Sequence, residues 1–256
     1  MQRTFLGVSA LLFVASTAVT ILWCASMAAM PGMSMPGDWT MSMAWMRMPG
    51  QSWPAAAISF LGMWIVMMVA MMLPALVPML RRYREAVGTM GAPRLGRLTV
   101  LVGSAYFLVW ALLGLAAFPL GVSLAALAMR FAELARVVPL ATGAVVAIAG
   151  ALQFTAWKSR ELACCAQLPG RGIRLAADAR TAWRHGLRLG IHCSYCCTGL
   201  TALLVTIGVM DLRTMAGVTA AISLERLLPA GQRVARGIGA VLVATGLFLV
   251  ARAVDG

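Results

Sequence analysis

Charge is scarce in this chain. Only 11% of its 256 residues are Asp, Glu, Lys or Arg; acids number 8 and histidines 2, whereas 61% of residues are hydrophobic and the mean hydropathy is +0.87. So little charge excludes an ordinary soluble domain of this length and leaves a polytopic membrane protein. No Gly-x-x-x-x-Gly-Lys-Ser/Thr loop and no phosphorylated-aspartate pump motif is present, so coupling to nucleotide hydrolysis is not encoded. There is no internal repeat. The formal net charge of +13 comes without a nucleic-acid recognition motif or an aromatic-interleaved basic patch. Basic loops facing anionic lipid explain it more simply, so the bilayer is the expected partner and nucleic acid is not.

Apolar runs near the roughly 20 residues that a span requires recur between arginine-rich gaps. Seven are read, at about 5–26, 55–80, 98–120, 137–157, 189–210, 214–229 and 237–254; the sixth is short and carries Glu225. The expected fold is all-α, a helix bundle of six to seven spans forming one integral membrane domain over residues 1–256, because backbone polar groups in lipid must be satisfied internally. Basic residues favour the cytoplasm. They cluster after the second span (Arg81, Arg82, Arg84, Arg94, Arg97), before the fifth (Lys158, Arg160, Arg171, Arg174, Arg180, Arg184, Arg188) and before the last (Arg226, Arg233, Arg236). This places the N-terminus and residues 158–188 in the cytoplasm, residues 27–54 and the C-terminus outside, and the protein in a bacterial inner membrane. A cleaved signal peptide ending near Ser26-Met27-Ala28 is the alternative for the first run. Its apolar stretch is longer than a usual signal core, which favours an uncleaved span.

Two groups of soft donors stand out against this hydrocarbon. The first is the outer segment 27–48, with Met27, Met30, Met33, Met35, Met41, Met43, Met46 and Met48. Pairs such as Met33-x-Met35 and Met41-x-Met43 let thioethers converge where the backbone bends, and Pro31, Gly32, Pro36, Gly37, Pro49 and Gly50 make the segment turn-rich and not a continuous helix. A thioether stays neutral and usable where a thiol would oxidise, so the segment suits capture of Cu(I). The alternative is a segment lying on the membrane, anchored by Trp39, Trp45 and Trp53.

The second group is His192-Cys193-Ser194-Tyr195-Cys196-Cys197 at the start of the fifth span. Cys193, Cys196 and Cys197 are spaced i, i+3, i+4 and can share one helix face; Cys164 and Cys165 lie in the preceding cytoplasmic gap. Between the two groups, the second span carries Met67, Met68, Met71 and Met72, with Met63, Met67 and Met71 on one face; taken alone, such a stripe reads as ordinary apolar packing, and it reads as a thioether ladder only because soft donors lie at both ends. Read as depth, Cys196 and Cys197 sit roughly 11–14 Å, and Met71 and Met72 roughly 12–14 Å, from the inner ends of their helices, which allows them to meet at one level. Thioether, thiolate and imidazole select Cu(I) and, with less help from thioethers, Zn. Zinc would satisfy the Cys/His set alone; Cu(I) accounts for the methionines as well. A buried structural role, a disulfide and a Cys-x-x-Cys redox site with Cys164 and Cys165 as exchange partners remain alternatives.

The remaining polar residues carry plainer expectations. Glu225 is either functional or paired with Arg226 or another arginine. Lys158 should mark the interface, His185 should be solvated, Glu133 should lie on an exposed face of an outer amphipathic stretch from Leu124 to Val138, and Asp211 and Arg213 should bracket a tight outer turn.

The stretch Ala149–Cys165, the Cys193-x-x-Cys196-Cys197 cluster, Gly208–Leu212, Leu224–Leu227 and Met67-Met68-Val69-Ala70-Met71-Met72-Leu73-Pro74 together resemble a bacterial family of metal-binding integral membrane proteins of unknown function. The resemblance covers most of residues 60–250. It marks Met67, Met68, Met71, Met72, Lys158, Cys165, Cys193, Cys196, Cys197, Met210 and Glu225. The family has a cysteine three residues after its lysine, where this chain has Glu161, and a Glu-Lys pair where this chain has Glu225-Arg226. The expected function is that of a Cu(I)-binding membrane protein, not an enzyme, passing copper between the outer methionines and the inner cysteines. The alternatives are a factor that inserts copper into a membrane cuproenzyme, docking that enzyme or a copper chaperone, and a membrane thiol-redox protein.

Overall fold

Helix α1 (Gln2–Ala28) hides its few hydroxyls against its own backbone: Ser9, Ser16 and Thr20 donate to the carbonyls of Phe5, Phe13 and Ser16, the usual arrangement in an apolar helix. The protein is described from a computed structural model covering residues 2–28, 32–37, 39–48, 50–88, 91–167 and 174–255. Met30, Pro31, Pro49 and Arg171 lie outside the described residues.

Local chemistry sets the other helix limits. Ser52 caps α2 (Trp53–Val87) by accepting from the Ala55 amide, Pro54 occupies its first turn, and Gly88 at φ 85° ends it. Helix α3 (Ala92–Arg130) breaks at Phe131 before α4 (Ala132–Leu152). A turn leads to the short α5 (Ala156–Gln167). Asp178 caps α6 (Ala179–Ile207), which ends at Gly208, and α8 (Gly231–Asp255) closes the chain. Asp211 caps α7 (Leu212–Leu227) through the amides of Arg213 and Thr214, at the tight turn expected from the sequence.

Six of these helices, α1, α2, α3, α4, α6 and α8, are long and apolar enough to cross a membrane. Helix α7 has 16 residues, roughly 24 Å at 1.5 Å per residue, and falls short of the roughly 30 Å hydrocarbon layer. At 35 and 39 residues, α2 and α3 reach roughly 52 and 58 Å and extend beyond it. No separate amphipathic stretch exists at Leu124–Val138. It is the end of α3 and the start of α4, although Glu133 does sit on an exposed face, paired with Arg136 at 3.1 Å.

The bundle is drawn tight by glycines. A Cβ on Gly186 would lie 2.4 Å from the Val102 carbonyl oxygen, and one on Gly190 3.0 Å from that of Tyr106, so α6 and α3 meet backbone to backbone. Gly150 against Val243 and Gly246 against Ala147 do the same for α4 and α8. Lipid supplies no hydrophobic drive between spans, and close approach at small residues replaces it.

Outside this bundle the methionine-rich segment is more regular than its turn residues imply. Strands β1 (Met33–Met35) and β2 (Trp39–Met41) pair antiparallel, Met33 opposite Met41 and Met35 opposite Trp39, followed by a 3-10 turn at Met43–Trp45. Met35 and Met41 pack on Ala125, Ala128 and Ala135, and Trp39 Nε1 donates to the Ala135 carbonyl at 2.9 Å.

Burial alone would raise the Asp211 carboxyl, but hydrogen bonds from Thr214 and Arg213 hold it below the ordinary carboxylate range. A depressed carboxylate stabilises the fold above its unfolded pKa, about 3.9, and loses that contribution as pH falls through the lower folded value. Asp211→Ala should therefore cost about 1 kcal/mol at neutral pH. Unfolding midpoints of the two proteins should converge as pH drops below that of a free carboxyl.

Candidate metal centre

Three helices bring the centre together. On α6, Cys193, Cys196 and Cys197 are 0%, 2% and 1% exposed, so the i, i+3, i+4 spacing does place all three on the buried face. On α5, Lys158, Leu162 and Cys165 form the inward stripe at i, i+4, i+7. Helix α7 contributes Glu225 and Arg226.

The thiols make a chain of pairwise interactions. Cys165 interacts with Cys196, Cys196 with Cys197, and Cys197 with Cys193. At the far end Cys193 Sγ lies 2.8 Å from the Tyr106 hydroxyl of α3, both fully buried. All six cysteines are free thiols. Among the described residues, no three His, Cys, Asp or Glu side chains converge as a ready-made ligand set. Arg226 Nη2 lies among the thiols, 3.4 Å from Cys197 Sγ and 3.8 Å from Cys165 Sγ.

A second network fixes the frame. Lys158 Nζ donates to Glu225 Oε2 and to the Cys196 carbonyl, each at 2.7 Å, and Gln153 Nε2 donates to Glu225 Oε1 at 2.8 Å. One ammonium thus ties α5 to the cysteine turn of α6 and to α7. Lys158 is 4% exposed and Glu225 3%, so Lys158 is not an interfacial marker. The partner of Glu225 is this lysine, 67 residues away, and not its neighbour Arg226. His185 is likewise buried, stacked on Tyr83 with ring centroids 5.3 Å apart, because α6 begins earlier than the hydropathy of its arginine-rich first turns implies.

The other residues singled out in the sequence fall into distinct places. Met67, Met68, Met71 and Met72 are buried in the same contiguous interior as the four cysteines, with Met63 and Met79. His192 turns aside and pairs with Glu161 through Nδ1 and Oε2 at 2.9 Å. Glu161, which stands where the resemblance implies a cysteine, holds the imidazole instead. Cys164 is half-buried, while Cys165 joins the cluster. The Cys165 thiol is raised far above the ordinary range, first by its hydrogen bond to Cys196 and then by burial; that of Cys164 is raised by burial and then by Glu161. In the methionine-rich segment Met35 and Met41 are buried beneath the hairpin, Met33 is exposed and Met43 intermediate.

Three members of the site escaped the sequence reading: Tyr106, Gln153 and Arg226 as a thiol partner. The signal for the first two was available, since a polar side chain inside an apolar span is costly unless it has a partner. A further sulfur pair, Cys24 Sγ and Met210 Sδ at 4.0 Å, joins α1 to the turn before α7.

A family model described as PpoB2, copper chaperone, matches residues 61–249. No curated protein matches the chain, and no solved structure does.

Proposed function

The chain belongs to the PpoB2 copper chaperone family, and on that premise we propose that it carries Cu(I) as cargo, passing it between the outer methionine-rich segment and the inner cysteine chain. The observation that carries this reading is the cluster of four buried thiols on α5 and α6 with a guanidinium in contact with two of them. Soft thiolate and thioether donors select Cu(I). Two thiolates and one Cu(I) carry a net charge of −1, which Arg226 cancels, and cancellation matters where an unpaired buried charge is strongly unfavourable. Zinc asks for four ligands in a tetrahedron, whereas Cu(I) is content with two sulfurs. A cluster of thiols without a ready-made set of three ligands therefore suits Cu(I), which can move through it by exchanging one sulfur at a time.

Each neighbouring group has a task in this scheme. Lys158 and Glu225 hold the Cys196 turn in register with Cys165. Tyr106 fixes the Cys193 sulfur. The buried methionines of α2 supply neutral soft donors on the way to the outer segment. Because the family is one of copper chaperones, the second reading is delivery of the ion into a membrane cuproenzyme, with the same residues holding it.

The test is copper content by elemental mass spectrometry of detergent-purified protein produced with added copper or zinc. The parent should hold near-stoichiometric copper, and a Cys193/Cys196/Cys197→Ser triple variant should lose at least nine-tenths of it. Copper unchanged by the triple substitution would overturn the assignment. Gene deletion separates the two readings: transfer across the membrane alters total cell copper, whereas insertion lowers one cuproenzyme's activity while cell copper stays constant.

A further inference from the structure

One pair of sulfurs stands apart from the thiol cluster. Helix α1 turns Ser9, Ser16, Thr20 and Cys24 inward and leaves apolar side chains such as Leu11 and Leu22 exposed. The three hydroxyls are satisfied on their own helix. Cys24 instead reaches another element: its buried thiol faces the Met210 thioether, with the sulfurs 4.0 Å apart. The turn around Met210 holds that thioether in place. Gly208, at φ 148°, opens the turn, the Asp211 amide donates to the Gly208 carbonyl at 3.2 Å, and Asp211 then caps α7. Cys24 belongs to the same contiguous interior as Met63, Met67 and Met68 of α2, and Met210 packs against that interior. The pair lies where α1 leads into the methionine-rich segment. Beyond Cys197, α6 runs roughly 15 Å further, at 1.5 Å per residue, before it ends at Ile207, so the pair and the cluster are separate. Cys24 also precedes residues 61–249, the stretch that the family model matches.

We propose that Cys24 and Met210 form a two-sulfur site for Cu(I) of their own, a station between the methionine-rich segment and the buried methionines of α2. The site rests on the copper reading. Thiolate and thioether are both soft donors. A metal–thiolate bond is roughly 2.3 Å, so one ion reaches both sulfurs across the 4.0 Å gap when the two bonds meet at an angle. Charge distinguishes this site from the cluster. Two thiolates around Cu(I) leave −1 and call for Arg226, whereas one thiolate and one thioether leave a neutral unit, which an apolar helix boundary accepts without a counter-charge. Asp211 bears electrostatically on Cys24, and its carboxylate draws a cation toward the pair. Binding balances: one Cu(I) enters, the Cys24 thiol proton leaves to buffer, an S–Cu bond replaces the S–H bond, Met210 adds a lone pair, and no oxidation state changes. With a single thiolate the site holds copper more weakly than the cluster, empties on purification and can pass the ion on.

The experiment titrates the full chain in detergent with Cu(I), under anaerobic conditions, against a chromophoric Cu(I) chelator. The parent should show a tight class, lost in the Cys193/Cys196/Cys197→Ser variant, and at least one weaker equivalent that this variant keeps. Cys24→Ser and Met210→Leu should each weaken that equivalent at least tenfold and leave the tight class unchanged. Leu conserves the volume of Met, so a loss beside an intact tight class reports the missing sulfur and not a disturbed fold. A weaker class absent from the parent, or equal in the parent and both variants, would overturn the site while a tight class kept the copper reading. A weaker equivalent lost in both variants, with no tight class in the parent, would keep this site and sink the inner cluster as a copper centre. No uptake at all would sink both.

Discussion

Lys158→Met is expected to destabilise the bundle by about 3–5 kcal/mol, the range for breaking one half of a buried ion pair. The loss comes less from the missing attraction than from what is left behind. Glu225 would be a carboxylate sealed from water with only Gln153 to donate to it, and the Cys196 carbonyl would lose its ammonium donor. Replacing both partners, Lys158→Met with Glu225→Leu, should recover much of that stability, because a well-packed apolar pair often matches a buried ion pair. It should not recover copper binding, since nothing would then hold Cys196 in register with Cys165. Unfolding in mixed detergent, read beside copper content for the two single variants and the double, separates the structural role from the positional one. Full copper occupancy in a stably folded double variant would show that Lys158 and Glu225 serve stability alone.

The second large effect belongs to Gly186→Leu. A Cβ there would sit 2.4 Å from the Val102 carbonyl oxygen and 2.7 Å from the Ala105 Cβ, and backbone cannot step aside as a flexible side-chain tip can. Helices α3 and α6 would have to separate. Overpacking in a tight core costs about 1–3 kcal/mol, occasionally more, and this contact is with main chain, so the upper end is expected. Tyr106 and Cys193 lie farther along the same helix pair, one on each side. Copper retention should therefore fall with stability even though residue 186 touches no sulfur. Gly217, which has nothing within 4 Å of an added Cβ, is the control: Gly217→Leu should leave both properties unchanged.

The transmembrane architecture was legible because hydropathy alone reports it. The shared face of Cys193, Cys196 and Cys197 was legible because helical periodicity is fixed by geometry. What could not be read was which helix turns toward which. Lys158 at the end of an apolar run looks like an interfacial residue until α5 folds back and brings it beneath Cys196, and Glu225 looks paired with Arg226 until α7 points the two side chains apart. His192 follows the same rule: sequence places it beside Cys193, but one step around a helix is about 100°, and that step hands it to Glu161. The methionine hairpin was missed for a different reason. Strands of three residues are shorter than the four to eight over which alternation becomes readable.

The hairpin also sorts its methionines by vulnerability. Met33 is 41% exposed, whereas Met35 and Met41 are 8% and 3% exposed beneath it. Oxidation to a sulfoxide makes a thioether polar and ends its use as an apolar contact. Met33 lies outside the seat on Ala125, Ala128 and Ala135, so its oxidation should leave that seat undisturbed. Damage to Met35 or Met41 would instead unseat the hairpin, so the order of attack built into this small sheet preserves its fold for as long as the exposed sulfur lasts.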